Sequence, residues 1–190
     1  MKIVVTGGAG FIGSALAEKL SAKHDVLVLD NLTSGKREYV SSEVEFKKID
    51  LLRSDAVKFL KGADAVYHLA ANPDVRLGER DHQAHLQQNV LVTWNVLEAC
   101  RKADCRSFLF TSSSTVYGVP TQIPTPESYG PCLPISLYGA SKLAAESFIS
   151  AYCDNYGLSG VACRMANIVG GRGHGVIKDF IAKLRADSTR

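Results

Sequence analysis

The chain has 190 residues, enough for one domain or for one domain and the start of a second. Hydrophobic residues make up 46% and charged residues 22%, the balance of an ordinary globular protein. With 22 Lys+Arg against 19 Asp+Glu the net charge is only +3, and without a basic stripe no nucleic-acid partner is expected.

No apolar run approaches the roughly 18 residues of a membrane span, so no membrane partner is expected either. The apolar stretch near the N-terminus is broken by glycines 7, 8, 10 and 13, then by Glu18 and Lys19, and does not read as a signal peptide. The five cysteines (100, 105, 132, 153 and 163) form no CxxC pair or metal-ligand spacing, and the odd count suggests reduced thiols in a cytoplasmic protein. His82 and His85 stand three apart without a third ligand, so no metal is expected.

In chain order, "KIVVT" (2–6) reads as a strand, followed by a glycine loop and the amphipathic stretch "FIGSALAEKLSA". "DVLVLD" (25–30) and "VEFKKID" (44–50) are the next strands. "RSDAVKFLKG" predicts a short helix, with Ser54 as N-cap and Gly62 as its stop. "DAVYHLAA" (64–71) is a strand ending in Leu69, Ala70 and Ala71, and a long helix is expected over 79–103. "SFLFTSS" (107–113) is a buried strand, and a loop over 118–136 carries prolines 120, 124, 126, 131 and 134. A helix from near Tyr138 to Tyr156, the strand "GVACRMA" (160–166) and a helix "VIKDFIAKLR" complete the chain. Strands alternating with helices predict an α/β fold, and right-handed crossovers make a doubly wound parallel sheet of Rossmann type the leading architecture.

"TGGAGFIG" (6–13) lies between a strand and a helix and reads as GxGxxG (8, 10, 13) or GxxGxxG (7, 10, 13). Either spacing lets a pyrophosphate approach backbone N–H groups at a helix N-terminus. Asp30 closes the second strand, where a carboxylate can accept from an adenosine ribose and repel a 2′-phosphate. The same residue could cap a turn with Asn31, and Lys36–Arg37 keep a 2′-phosphate open. "SLYGASK" (136–142) places Tyr138 and Lys142 four apart, on one face of a helix. By itself that pair reads rather as a surface phenol and a solvated ammonium, and the rest of the sequence has to overturn that reading.

The stretches "TGGAGFIG", "DNLTSGKRE", "YHLAA", "NVLVTWNVLEA", "SSSTVYG", "YGASK" and "CRMANIVG" run nearly the whole chain in a familiar order. Together they resemble the extended short-chain dehydrogenase/reductase family and, within it, the NAD-dependent sugar epimerase/dehydratase group. The resemblance implies NAD as cofactor and a nucleotide sugar as substrate. It gives Ser113, Tyr138 and Lys142 the catalytic roles, with Tyr138 as base, Ser113 bonded to the same sugar hydroxyl and Lys142 also touching the nicotinamide ribose. Lys142 and the positive nicotinamide are expected to depress the Tyr138 pKa.

The same resemblance assigns Gly7, Gly10, Phe11 and Ile12 to the pyrophosphate, and Asp30, Asn31, Leu32, Thr33, Ser34 and Gly35 to the adenosine ribose. Asp50 and Leu51 fall at the adenine edge, although Asp50 could equally end a strand in a turn. Leu69, Ala70 and Ala71 admit the cofactor, Asn89 lies behind it or serves the structure, and Asn167 contacts the phosphates of the nucleotide sugar. The helices at 79–103 and 139–157 resemble those through which family members pair, implying a homodimer.

Family dehydratases carry an Asp-Glu pair just past the Ser113 position, where this chain has Ser114 and Thr115, so dehydration is disfavoured. Reversible 4-epimerisation of a UDP-hexose through a 4-keto intermediate needs only the residues present. UDP-glucuronate decarboxylation or epimerisation, or a non-catalytic NAD-binding fragment, remain the alternatives. Leu137 and Gly171 stand where proline is common in relatives. The expected division is an NAD-binding domain over 1–170 and the start of a smaller substrate domain, largely missing, over 171–190.

Overall fold

The computed structural model describes residues 1–170 and 176–186. Six strands, β1 (Lys2–Thr6), β2 (Asp25–Asp30), β3 (Glu45–Lys48), β4 (Ala65–His68), β5 (Ser107–Ser113) and β6 (Ser159–Met165), form one sheet in the order β3-β2-β1-β4-β5-β6. All neighbours are parallel. The order steps outward from β1 to β3, then reverses to β4, so right-handed crossovers must cover opposite faces on the two sides of β1.

Side-chain alternation shows that they do. Val4, Leu27, Leu29, Val66 and Phe108 pack on one face with α2 (Val57–Leu60), α3 (Val92–Ala103) and α4 (Leu137–Tyr156). Ile3, Val5, Val26 and Val28 pack on the other with Ala17 of α1 (Phe11–Ser21) and the β2–β3 connection at Val40 and Val44. The doubly wound Rossmann fold expected from the sequence is therefore the fold observed.

Several local expectations change. Ser54 does not cap α2: the Asp55 carboxylate accepts the Val57 N–H at 2.9 Å, and the helix is a single turn. Gly62 does stop it, with φ +69°. The fourth strand ends at His68, so Leu69–Ala71 belong to the loop that follows. The expected helix over 79–103 begins irregularly, with a short turn at Leu77–Glu79 and a π-helical segment at Leu86–Leu91 running into α3. Strand β3 is also shorter than the 44–50 stretch. The last helix, α5, spans Val176–Ala186, while Gly171 lies outside the described residues. No helix among the described residues is long and apolar enough to cross a membrane.

Candidate active site

The carboxyl ends of the strands open into a cleft of about 1160 Å³ at the point where strand order reverses. Its floor is the loop between β1 and α1. Gly7 sits at φ +69°, and a Cβ there would meet the Ala70 backbone nitrogen at 2.6 Å, so only glycine lets the two loops touch. Gly10 caps α1 without a side-chain bond, and the first turn holds no acidic residue. The positive end of the helix, with Phe11 and Ile12 on the cleft wall, is thereby left for an anionic group.

Asp30 is buried at the cleft edge and holds two loops together. Its Oδ2 accepts the Ala9 N–H at 2.9 Å, and its Oδ1 accepts the Leu32 N–H at 2.8 Å. The turn-capping role is thus real, and each oxygen keeps a further lone pair for a ribose hydroxyl. Asn31, Thr33 and Ser34 line the cleft beyond it. Leu32 and Gly35 do not: Leu32 packs on the core, and Gly35 lies against Ala9, with Lys36 N–H bonded to Ala9 O at 2.9 Å.

Asp50 and Leu51 line the same end of the cleft, and Asp50 also makes the strand-end turn by accepting the Leu52 N–H at 3.0 Å. Leu69, Ala70 and Ala71 line the middle. Asn89 does not line it. Buried, it accepts the Asn72 N–H at 2.7 Å and donates to Ser141 Oγ at 2.9 Å, so it braces a cleft residue from behind.

Beneath Ala70 runs a polar chain whose proton directions are fixed. The Thr93 hydroxyl donates to the Asn89 carbonyl at 2.6 Å, so it can only accept from His68 Nε2, 3.0 Å away. His68 Nδ1 is therefore the acceptor for the Thr6 hydroxyl at 2.7 Å, and Thr6 Oγ1 in turn accepts the Ala70 N–H at 3.3 Å. Burial, reinforced by the Lys142 charge, lowers the His68 pKa to about 3 and keeps the ring neutral.

Ser113, Tyr138, Lys142 and Asn167 all line the cleft. Helix α4 starts with Ser136 accepting the Gly139 N–H at 3.0 Å, which sets Tyr138 and Lys142 on the turn facing β5. Ser113 Oγ accepts from both the N–H and the hydroxyl of Thr115, at 3.2 and 3.0 Å. Its own hydrogen is left to donate, and that bond pulls the Tyr138 pKa down.

One expectation is corrected here. Burial is the larger effect and raises the Tyr138 pKa, while Lys142 is not among the groups that shift it. The ammonium donates to the Thr111 carbonyl at 2.8 Å and lies 5.8 Å from the phenol ring centre. It is nearly fully buried, which lowers its own pKa to about 8.

Sequence reasoning missed Thr115, because its role is seen only when the turn after β5 folds back on Ser113. It also missed Asn72, Gln87, Ile181 and Arg185 on the cleft wall, none of which belongs to a recognisable motif. Among the described residues no group of three or more His, Cys, Asp or Glu side chains could hold a metal ion.

Comparison with known proteins gives one answer. A family model described as the NAD dependent epimerase/dehydratase family matches residues 3–189. A UDP-glucose 4-epimerase of Streptomyces lividans is 37% identical over 89% of this chain and 53% of its own length. The UDP-glucuronic acid decarboxylase 3 of Arabidopsis thaliana is 34% identical over 99% of this chain and 58% of its own. A solved UDP-galactose 4-epimerase superposes with a TM-score of 0.90 at 48% identity, over 99% of this chain and 64% of that one. This chain thus spans a little over half to about two thirds of the length of these relatives. The glycine loop, the uncapped helix end and Asp30 fit the NAD that the family uses. The chain belongs to the NAD dependent epimerase/dehydratase family.

Proposed function

We propose that this cleft catalyses the 4-epimerisation of a UDP-hexose, interconverting UDP-glucose and UDP-galactose. The observation that carries the reading is the convergence of Ser113, Tyr138 and Lys142 on one wall of a dinucleotide cleft. Gly7, Gly10, Phe11 and Ile12 would hold the pyrophosphate, Asp30, Asn31, Thr33 and Ser34 the adenosine ribose, and Asp50 with Leu51 the adenine. Leu69, Ala70 and Ala71 flank the nicotinamide. When bound, NAD supplies the hydride acceptor and a positive charge that opposes the effect of burial on the phenol.

Tyr138 takes the proton from the sugar hydroxyl, and Ser113, held as a donor by Thr115, orients that hydroxyl. Lys142 holds its charge one helical turn away, fixed on the Thr111 carbonyl. Asn167 grips the phosphates of the nucleotide sugar. Ser114 and Thr115 offer no carboxylate for eliminating water, which separates this site from dehydratases.

The decarboxylase relative makes UDP-glucuronate the second substrate to try. The test is product analysis by NMR, with the chain extended to the length of its relatives, after incubation with NAD and either UDP-glucose or UDP-glucuronate. Interconversion at C4 of UDP-glucose is the expected result. Release of carbon dioxide from UDP-glucuronate with no interconversion would overturn the assignment.

We also propose a homodimer. Leu91, Trp94 and Phe148 stay 40–42% exposed on the segment leading into α3, on α3 and on α4. A second copy would cover them as a four-helix contact. Residues 1–170 are read as the cofactor domain and 171–190 as the start of a substrate unit.

A further inference from the structure

On α4, Tyr138, Lys142 and Glu146 follow one another at intervals of four, which aligns them on one face. All three reach the end of β5. Tyr138 shares the cleft wall with Ser113, Lys142 donates to the Thr111 carbonyl, and the Glu146 carboxylate accepts the Ser112 hydroxyl. Arg164 on β6 holds that carboxylate from its other side, through Nε at 3.1 Å to Oε1 and Nη2 at 2.8 Å to Oε2. Arg164 also donates through Nη1 to the Glu127 carbonyl at 3.2 Å and lies 4.8 Å over the Tyr117 ring. One ion pair therefore ties β5, the turn after it, the long loop, α4 and β6 at a single point.

The reaction as proposed uses neither member of the pair. A two-pronged Arg–carboxylate contact, with side chains only 24% and 11% exposed, is directional and largely shielded from water. Its position decides what it controls. Successive side chains of a strand point to opposite faces, so anchoring Ser112 fixes the direction in which Ser113 projects into the cleft. Displacements of about 1 Å in such a group can cost on the order of 100-fold in rate.

We propose that Glu146 and Arg164 are positioning residues: through Ser112 they set Ser113 against the Tyr138–Lys142 face. The proposal rests on reading the cleft as a nucleotide-sugar epimerisation site. A purely structural pair would change stability and leave catalysis in the folded protein alone.

The test compares Ser112→Ala, Glu146→Ala and Glu146→Gln with the unaltered protein, all in the chain extended to the length of its relatives, where remote contacts place the sugar. It measures kcat and KM for UDP-glucose, NAD affinity by calorimetry and the melting temperature. Ser112→Ala removes the link and leaves the ion pair, and should lower kcat about tenfold with KM and NAD affinity within about threefold. Glu146→Ala should lower kcat by about 10- to 100-fold. Glu146→Gln keeps an oxygen for the Ser112 hydroxyl and should recover most of that loss.

Should Glu146→Ala not fold, Ser112→Ala carries the test. A kcat within about twofold of the parent for Ser112→Ala, beside an active parent, overturns the positioning role alone. An inactive parent overturns the functional reading, and the positioning role falls with it.

Discussion

Asp30 serves the fold and the cofactor with the same two oxygens, so replacing it does more than alter selectivity. Asp30→Ala should narrow the preference for NAD over NADP. It should also cost about 1–3 kcal/mol in stability, because the buried Ala9 N–H and the half-buried Leu32 N–H lose their acceptor. Calorimetry with both cofactors and a denaturant titration check the two effects separately; equal affinities in the unaltered protein would contradict the ribose role. Lys142 makes a pH prediction. Its folded pKa of about 8 lies below the ordinary 10.5, so between these values the native state binds fewer protons than the unfolded chain. Stability should therefore rise with pH across that window, and Lys142→Met should flatten the rise in melting temperature. That Ser113, Tyr138 and Lys142 meet in one cleft was legible in the sequence because motif and spacing survive folding unchanged. Thr115, Glu146 and Arg164 were not, since their partners depend on how β5, α4 and β6 come together.

At the scale of elements, four strands were readable nearly to the residue: β1, β2, β5 and β6 combine β-branched or aromatic alternation with clear turn signals. The 79–103 segment was not, because its apolar spacing does not show the π-helical winding at Leu86–Leu91. Nor could the sequence show that Leu69–Ala71 leave the sheet: their backbone turns to meet Gly7, and Thr6 Oγ1 takes the Ala70 N–H. The Thr6–His68–Thr93 chain supports that loop and predicts its own acid sensitivity. His68 titrates near 6.5 when unfolded and near 3 when folded, so its contribution is complete above 6.5 and is lost as pH falls toward 3. The parent should lose melting temperature through that window, and a His68→Asn variant should start lower and fall less steeply. Thr93→Val leaves the His68 Nε2–H without an acceptor and should cost about 1–3 kcal/mol by denaturant titration.

For the whole molecule, the exposed Leu91, Trp94 and Phe148 make association the first question. Light scattering should find a dimer at micromolar concentration and a monomer for Trp94→Glu, while a monomeric parent would sink the pairing proposal. The proposed cofactor and catalytic residues all precede residue 143, so the 190-residue chain should bind NAD. Turnover should be much greater when the chain is extended to the length of its relatives, because remote contacts place the sugar. Comparable turnover in both would show the substrate site to be misplaced. The central claim is that Tyr138 is the proton acceptor of a nucleotide-sugar epimerase, and one comparison reaches it most directly. UDP-galactose conversion by the extended protein is measured beside its Tyr138→Phe variant, with NAD affinity determined for both. The account predicts a loss of at least about 100-fold in turnover with NAD affinity within about threefold. Turnover within about twofold of the parent would contradict it.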